Sequence, residues 1–357
     1  MKGLVLSGGT GTRLQPFSLS MPKQLIPVAN RPVLSYILFA LRAVGITEAG
    51  IITGDEGLAR IPAGLRGDTP PSLELTYIRQ AVPLGLAHAV QTARPFLGDD
   101  DFIMVLGDNL FDRDLSEGVE IFKCTKADAL LYLTPVADPC RYGIAEVKDG
   151  RIISLVEKPA MPRSNLAIMG IYLLSSKIFA AIARTRPSAR GELEITDALQ
   201  ELLCMGGKIV PCLYDGWWLD VGKAEDVLAA NRRILDLLRA AEKGRMPAWT
   251  DVALAADGCA VASSAVVTNS TLRGPLIIGE GCRISNAVLG PYSSIGRSSE
   301  VSDARLEDCI LCEQVVVRNL RPLLRRSIIG EKAVISGRRG EEKEVSLLLG
   351  SASEIII

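Results

Sequence analysis

One histidine, His88, serves all 357 residues of the chain, and a lone imidazole fits a packed helix residue better than a catalyst. Cysteine is almost as thinly used. The eight thiols, at 124, 140, 204, 212, 259, 282, 309 and 312, are too sparse for a disulfide scaffold in a chain of this length. Cys309 and Cys312 form a CxxC, but no second ligand pair accompanies it as a structural zinc site would require, so both read as reduced packing cysteines. Net charge is missing too. Forty basic against 41 acidic residues leave −1, which gives no electrostatic footprint for nucleic acid, and an anionic ligand must be met by local charge. No run approaches the ~18 apolar residues of a membrane helix, and the opening MKGLVLSGG is too short for a signal peptide's apolar region. These absences predict a cytoplasmic protein whose partners are neither nucleic acid nor membrane.

What the chain does have is concentrated in residues 4–28, LVLSGGTGTRLQPFSLSMPKQLIPV, where an apolar strand runs into a glycine-rich loop seeded with Arg13 and Lys23. Gly8, Gly9 and Gly11 lack a Cβ, so the backbone can turn sharply and aim amides at anionic oxygens, while Arg13 and Lys23 supply counter-charge. A nucleoside triphosphate suits such a loop. Two better-known glycine motifs do not fit. In the dinucleotide pattern GxGxxG, counted from Gly9 and Gly11, the third glycine falls on Leu14; in GxxxxGK[ST] the second falls on Arg13 or Leu14.

From residue 1 to about 240, apolar β-rich runs alternate with helical patterns: strands at 3–6, 50–53, 73–78 and 102–106, and helices at 32–44 and 85–96. This alternation predicts a Rossmann-like α/β domain with a mixed, mostly parallel sheet covered on both faces and ligands beyond the carboxyl ends of the strands. Segments 142–147 and 151–156, joined through Asp149-Gly150, read as a hairpin. A helix at 223–242 leads into KGRMPAWT, 243–250, which has the composition of a linker. Beyond it, aliphatic residues recur every six positions: Ile278 to Ile284, Leu289 to Ile295 to Val301, and Ile329 to Ile335. Hexapeptide periodicity marks a left-handed parallel β-helix. The phase is lost between Leu306 and Arg325, where loops or an irregular coil are expected. The predicted domains are thus 1–242, a linker at 243–250, and a β-helix over 251–357.

Asp108, in VLGDN, and Asp220, in WWLDVG, both end short apolar runs, so both can lie on one rim of the sheet. A pair of hard carboxylates, completed by substrate phosphates and water, suits Mg²⁺. Glu157, Lys158 and Pro159 follow the hairpin; in an extended backbone the Glu and Lys side chains oppose each other unless Pro159 forces a bend. Gln80, in RQAVPLGLAHA, carries an amide able to donate and accept at once, which implies contact with a base without naming it.

The combination of GGxGTRLxP, PKQLxPVxNxP, QxxPxGLAxA, LGDN, VEKP and WxDxG resembles the sugar-phosphate nucleotidyltransferases, and in motif order the long thymidylyltransferases with an added β-helix. The resemblance implies a transferase that makes a nucleoside-diphosphate sugar and pyrophosphate, with dTTP and glucose 1-phosphate favoured. Other bases, uridine first, and a silent sugar-nucleotide-binding subunit stay open as alternatives. It implies nucleotide contacts at Leu6, Gly8, Gly9, Gly11, Thr12, Arg13, Lys23, Gln24, Gln80, Pro83, Gly85 and Leu86. Sugar-phosphate contacts follow at Tyr142, Gly143, Glu157, Lys158, Asn165 and Tyr172, with Glu192 either joining them or capping the next helix. Arg13, Lys23, Lys158 and Asp108 become the expected catalytic residues, and Asp108 and Asp220 the Mg²⁺ ligands. His88 stands where glutamine is common, which bears on nucleotide selectivity. An acyltransferase role for the β-helix would call for a histidine base, and none follows residue 88. That part is expected to serve assembly, as a homo-oligomer, or regulation.

Overall fold

The computed structural model describes residues 1–9, 11–241, 258–337 and 343–357; the linker expected at 243–250 lies outside them. By contact the chain forms two compact units, Met1–Gly9 with Ile37–Trp218, and Thr10–Tyr36 with Leu219–Ile357. These units cut across the expected division into 1–242 and 251–357. The glycine loop leaves the first unit after Gly9, and the Arg13–Lys23 segment belongs with the C-terminal strands.

The first unit is built on a nine-stranded mixed sheet. Its path runs Arg151–Glu157, Gly143–Lys148, Leu166–Leu174, Phe102–Leu106, Lys2–Leu6, Glu48–Thr53, Glu74–Arg79. Ala129–Pro135 pairs with Leu166–Leu174 and, in parallel, with Ile209–Leu213. Lys2–Leu6 lies between two parallel neighbours, Glu48–Thr53 on one side and Phe102–Leu106 on the other. The chain therefore winds one way from the central strand, then returns to its other side, and in open sheets of this kind the point where that direction reverses is where ligands bind. Burial on both faces accounts for the unbroken apolar run of Phe102–Leu106, where four of the five residues are inaccessible. The hairpin forms as expected around Asp149 and Gly150, both at positive φ.

In the second unit, each strand pairs with its equivalent one coil later. Cys259 pairs with Leu276, which pairs in turn with Ser293. Three parallel ladders result, starting at Cys259–Val261, Val266–Thr268 and Thr271–Leu272, the arrangement of a left-handed parallel β-helix. The hexapeptide aliphatics Ile278, Ile284, Leu289, Ile295, Val301, Ile329 and Ile335 all point into its core, none more than 1% exposed. Corners are turned by stacked residues in the left-handed region, such as Asn269, Asn286, Asp303 and Asn319, residue types that adopt it at low cost. Their side chains form a ladder, Asn269 Nδ2 donating to Asn286 Oδ1 at 2.7 Å and Asn286 Nδ2 to Asp303 Oδ1 at 3.3 Å.

The irregular coil expected between Leu306 and Arg325 is not present. Arg305–Leu311 and Leu323–Ile329 are the longest strands among the described residues of the β-helix and pair along their length, Cys309 opposite Ser327. The coil from Cys309 to Ser327 is longer than the coil from Cys259 to Leu276, so the six-residue phase slips while the winding continues. Left-handed Asp308 and Arg326 bend each strand around a corner. Cys309 and Cys312 are core residues; Cys309 Sγ donates to the carbonyls of Glu307 and Leu324, and burial pushes both thiols up to about 12.

Candidate active site

In the first unit, the carboxyl ends of the parallel strands gather the predicted residues on one rim. Gly107 N donates to Leu6 O at 2.8 Å, Ser7 N to Ile52 O at 2.8 Å, and Gln80 N to Thr53 O at 2.8 Å. Leu6 is itself buried and takes part through its backbone. Gly8 and Gly9 thus emerge beside Gln80 and next to the strand that ends before Asp108. A Cβ on Gly8 would stand 3.1 Å from Gln80 Oε1, so the missing side chain keeps that oxygen open to the loop. Asn109 Nδ2 donates to Asp108 Oδ1 at 3.0 Å, and Trp218 Nε1 holds Asn109 through its Oδ1. The Asp108 carboxylate is therefore aimed by an amide that is itself fixed.

The expected base segment is locked by Leu193, which lies far along the chain. Leu193 N donates to Leu84 O at 2.7 Å, and Ala87 N to Leu193 O at 3.0 Å. Gly85, at φ 107°, would drive a Cβ to 2.5 Å from Leu193 O, so only glycine fits. Pro83 is exposed at the turn, and Leu86 opens the helix Leu86–Thr92 that carries His88.

On the sugar side, Lys158 takes the left-handed conformation, φ 42°, and its N donates to Tyr142 O at 3.0 Å. The bend before Pro159, the exception allowed to opposed side chains, brings Lys158 Nζ to 3.6 Å from Glu157 Oε1. Glu157 Oε2 accepts from Thr196 Oγ1 at 2.7 Å, and Oε1 from Arg190 Nη2 at 3.3 Å. Arg190 also donates to Glu194 Oε1 at 2.8 Å. Burial raises the Glu194 carboxyl and the charges of Glu157 and Glu192 add to it, outweighing Ser188 and Arg190. Gly143 sits under this cluster, where a Cβ would meet Thr196 Oγ1 at 2.6 Å. The Tyr142 ring packs on Trp218, centroids 5.5 Å apart. Asn165 is exposed and its carbonyl accepts from Val136 N. Tyr172 is buried, 4% exposed, with its phenol raised by burial and then by Glu157. Glu192 does not cap the following helix, whose N-cap residue is Glu194. Arg190, Glu194 and Thr196 were not singled out from sequence, although RGELEITD contains them all.

In the second unit, Gly11 turns at φ 63° with the stem of Lys23 close by, a Cβ there meeting Lys23 Cβ at 3.3 Å. Thr12–Leu14 is a single 3₁₀ turn that exposes Thr12 and Arg13, and Lys23–Leu25 is another that leaves Lys23 half-buried. Gln24 is 2% exposed and its Oε1 has no hydrogen-bond partner among the described residues. Asp220 closes the short strand Trp218–Asp220 and is half-buried. Gly222 and Lys223 give their amides to Asp226 Oδ2, at 3.1 and 3.0 Å, starting the helix Ala224–Ala241.

The β-helix reaches the Arg13–Lys23 segment directly. Asn231, fully buried on Ala224–Ala241, accepts from Ala29 N at 2.8 Å and from Ser294 Oγ at 2.7 Å, and donates to Tyr292 O at 2.9 Å. Asn30 Nδ2 donates to Ile295 O at 2.8 Å, and Ser20 Oγ lies 3.0 Å from Ser351 Oγ. Arg232 pairs with the buried Asp308.

The sequence profile described as nucleotidyl transferase matches residues 2–236. The chain belongs to that family. A glucose-1-phosphate thymidylyltransferase of Streptomyces griseus is 40% identical over 354 residues, covering 99% of this chain and 98% of its own. The low-salt glycan biosynthesis nucleotidyltransferase Agl11 of Haloferax volcanii is 40% identical, covering 97% and 100%. Among solved structures, a candidate glucose-1-phosphate thymidylyltransferase of Bacillus anthracis, in complex with a sucrose, superposes with a TM-score of 0.61 at 38% identity, covering 65% of this chain and 94% of that one. This nucleotidyl transferase has no helix, among its described residues, long and apolar enough to cross a membrane.

Proposed function

We propose that the chain joins a nucleoside triphosphate to a sugar 1-phosphate with release of pyrophosphate, and that dTTP and glucose 1-phosphate are the preferred pair, giving dTDP-glucose. Similarity over the full length to the Streptomyces thymidylyltransferase carries this reading. A sugar-phosphate oxygen attacks the α-phosphorus in line with the departing pyrophosphate; one P–O bond forms as another breaks. The nucleophile needs no base, because a phosphate monoester with a second pKa near ~6 is largely dianionic at pH 7. One histidine is therefore no handicap.

The protein's part is positioning and charge neutralisation. Arg13 and Lys23 take the triphosphate, with Gly8, Gly9, Gly11 and Thr12 lining its path and the Gln24 oxygen, unpartnered among the described residues, available to the nucleotide. Gln80, Pro83, Gly85 and Leu86 take the base. Lys158 takes the sugar phosphate, Glu157 and Asn165 take sugar hydroxyls, and Tyr142, Gly143 and Tyr172 shape that side. Asp108 and Asp220 offer hard carboxylate oxygens that fit Mg²⁺, and the aiming of Asp108 by Asn109 supports that role. Bound there, the ion would supply positive charge to the phosphates. The β-helix favours a homo-oligomer through its exposed end, where Ile356 is 52% exposed, and reduced thiols, Cys309 and Cys312 among them, agree with a cytoplasmic setting.

A pyrophosphate-release screen crossing dTTP, UTP, ATP and GTP with several sugar 1-phosphates tests the proposal. The expected order is dTTP, then UTP. Equal or better use of ATP or GTP overturns the assignment of the base.

A further inference from the structure

His88 lies 2.9 Å, through Nδ1, from Gln80 Nε2, and the same Nε2 is 3.5 Å from Gly85 O. The Gly85 carbonyl oxygen only accepts, so that contact requires the amide nitrogen on that side, and His88 then meets the same nitrogen. His88 then carries its proton on Nε2 and accepts at Nδ1. The other end of the amide is settled by exclusion: Gln80 Oε1 faces Gly8, the glycine that leaves room for it, and takes no hydrogen bond from the described residues. Gln80 is 6% exposed, and its Oε1 lies beside the glycine loop at Gly8.

We infer that His88 is a positioning residue for base selection: it holds the Gln80 amide so that only an acceptor oxygen meets the base. The inference rests on Gln80 being the base contact. Thymine and uracil present N3–H at their pairing edge and satisfy that oxygen, as does guanine through N1–H. Cytosine and adenine present a ring nitrogen lone pair at the same place, which an acceptor repels and leaves unpaired. Free to turn over, the amide would offer N–H instead and the distinction would weaken.

The test compares dTTP with dCTP, two pyrimidines of similar size, using glucose 1-phosphate throughout. His88→Ala keeps a good helix former and is expected to narrow the dTTP:dCTP ratio of kcat/KM by about three- to tenfold, the range for one oriented hydrogen bond. The change should enter through KM for dTTP, with kcat near wild type. His88→Asn, whose Oδ1 can accept where Nδ1 did, should restore the ratio. Gln80→Ala separates the two levels of the argument. If it collapses the ratio while His88→Ala leaves the ratio unchanged, the orienting role is wrong and the base contact stands. If Gln80→Ala changes neither ratio nor KM, Gln80 does not read the base and both fail.

Discussion

At the scale of single residues, the first unit concentrates its demands on a few positions whose neighbours leave no choice. Gly85 combines a positive φ with a backbone oxygen 2.5 Å from where a Cβ would go. Gly85→Ala should therefore cost about 1–3 kcal/mol from backbone strain alone, visible as a lowered Tm together with a raised KM for the nucleotide. A variant with unchanged Tm and KM would show that the Leu193 clamp is dispensable. Asp108→Asn keeps shape and loses charge; turnover should fall about a hundredfold, the scale of one preorganised electrostatic contact, with the circular dichroism spectrum unchanged. Turnover at the wild-type level under saturating Mg²⁺ would remove Asp108 from the metal. Asp128 offers a pH test away from the site. Burial raises its carboxyl, but Lys177, 2.8 Å away, and the Lys208 amide outweigh that and hold it below the ordinary value of 3.8. Its stabilising share is then complete above that value and is lost as pH falls through the depressed one. The Tm gap between wild type and Asp128→Asn should be widest near neutrality and close in acid; a constant gap would contradict the pairing.

Among elements, the helix Ala224–Ala241 ties the Arg13–Lys23 segment to the β-helix. Asn231 alone serves three partners, and Asn231→Leu would leave the Ala29 N–H and the Tyr292 carbonyl without theirs. About 1–3 kcal/mol is expected for each polar group left buried and unpaired, with KM for the triphosphate rising more than KM for the sugar phosphate. Equal changes in both would argue for a general loss of stability. This linkage was not legible in the sequence, because a buried asparagine inside an amphipathic helix looks like any other polar position until its partners are known. Strands and the hairpin were legible: Phe102–Leu106 is a pure apolar run, and Asp149-Gly150 is a turn by chemistry. The coil between Leu306 and Arg325 was misread for a specific reason. A six-residue count steps from one face of the coil to the next and loses phase when a coil changes length, whereas the repeat that persists is the whole coil, seen in the corner residues Asn269, Asn286, Asp303 and Asn319. The glycine loop and Asp108 were legible as candidates because phosphate- and metal-binding chemistry restricts residue type, and Glu157 only through the family resemblance. Arg190 and Thr196 were not, since they act on Glu157 through space and match no spacing rule.

For the whole molecule, the C-terminal strands hold the segment around Ser20 and Asn30 through hydrogen bonds to Ser351 and Ile295. A chain ending at residue 245 would lack Tyr292, Ser294, Ile295 and Ser351, the partners of Asn231, Asn30 and Ser20. It should lose turnover by at least about tenfold, the loss of a few hydrogen bonds at the segment, along with any change in sedimentation. Full turnover from that truncated chain would show that these hydrogen bonds are dispensable for the reaction. The division of the chain between units has a further consequence for how the enzyme is made. Residues 10–36 leave the ribosome early, yet the whole stretch from Ile37 to Trp218 must follow before the remainder of their unit begins to appear. At about 5–20 residues per second that interval lasts about 10–40 s. The loop bearing Arg13 and Lys23 therefore waits through that interval before the strands that share its unit, and that accept from Asn30 at Ile295, have been synthesised.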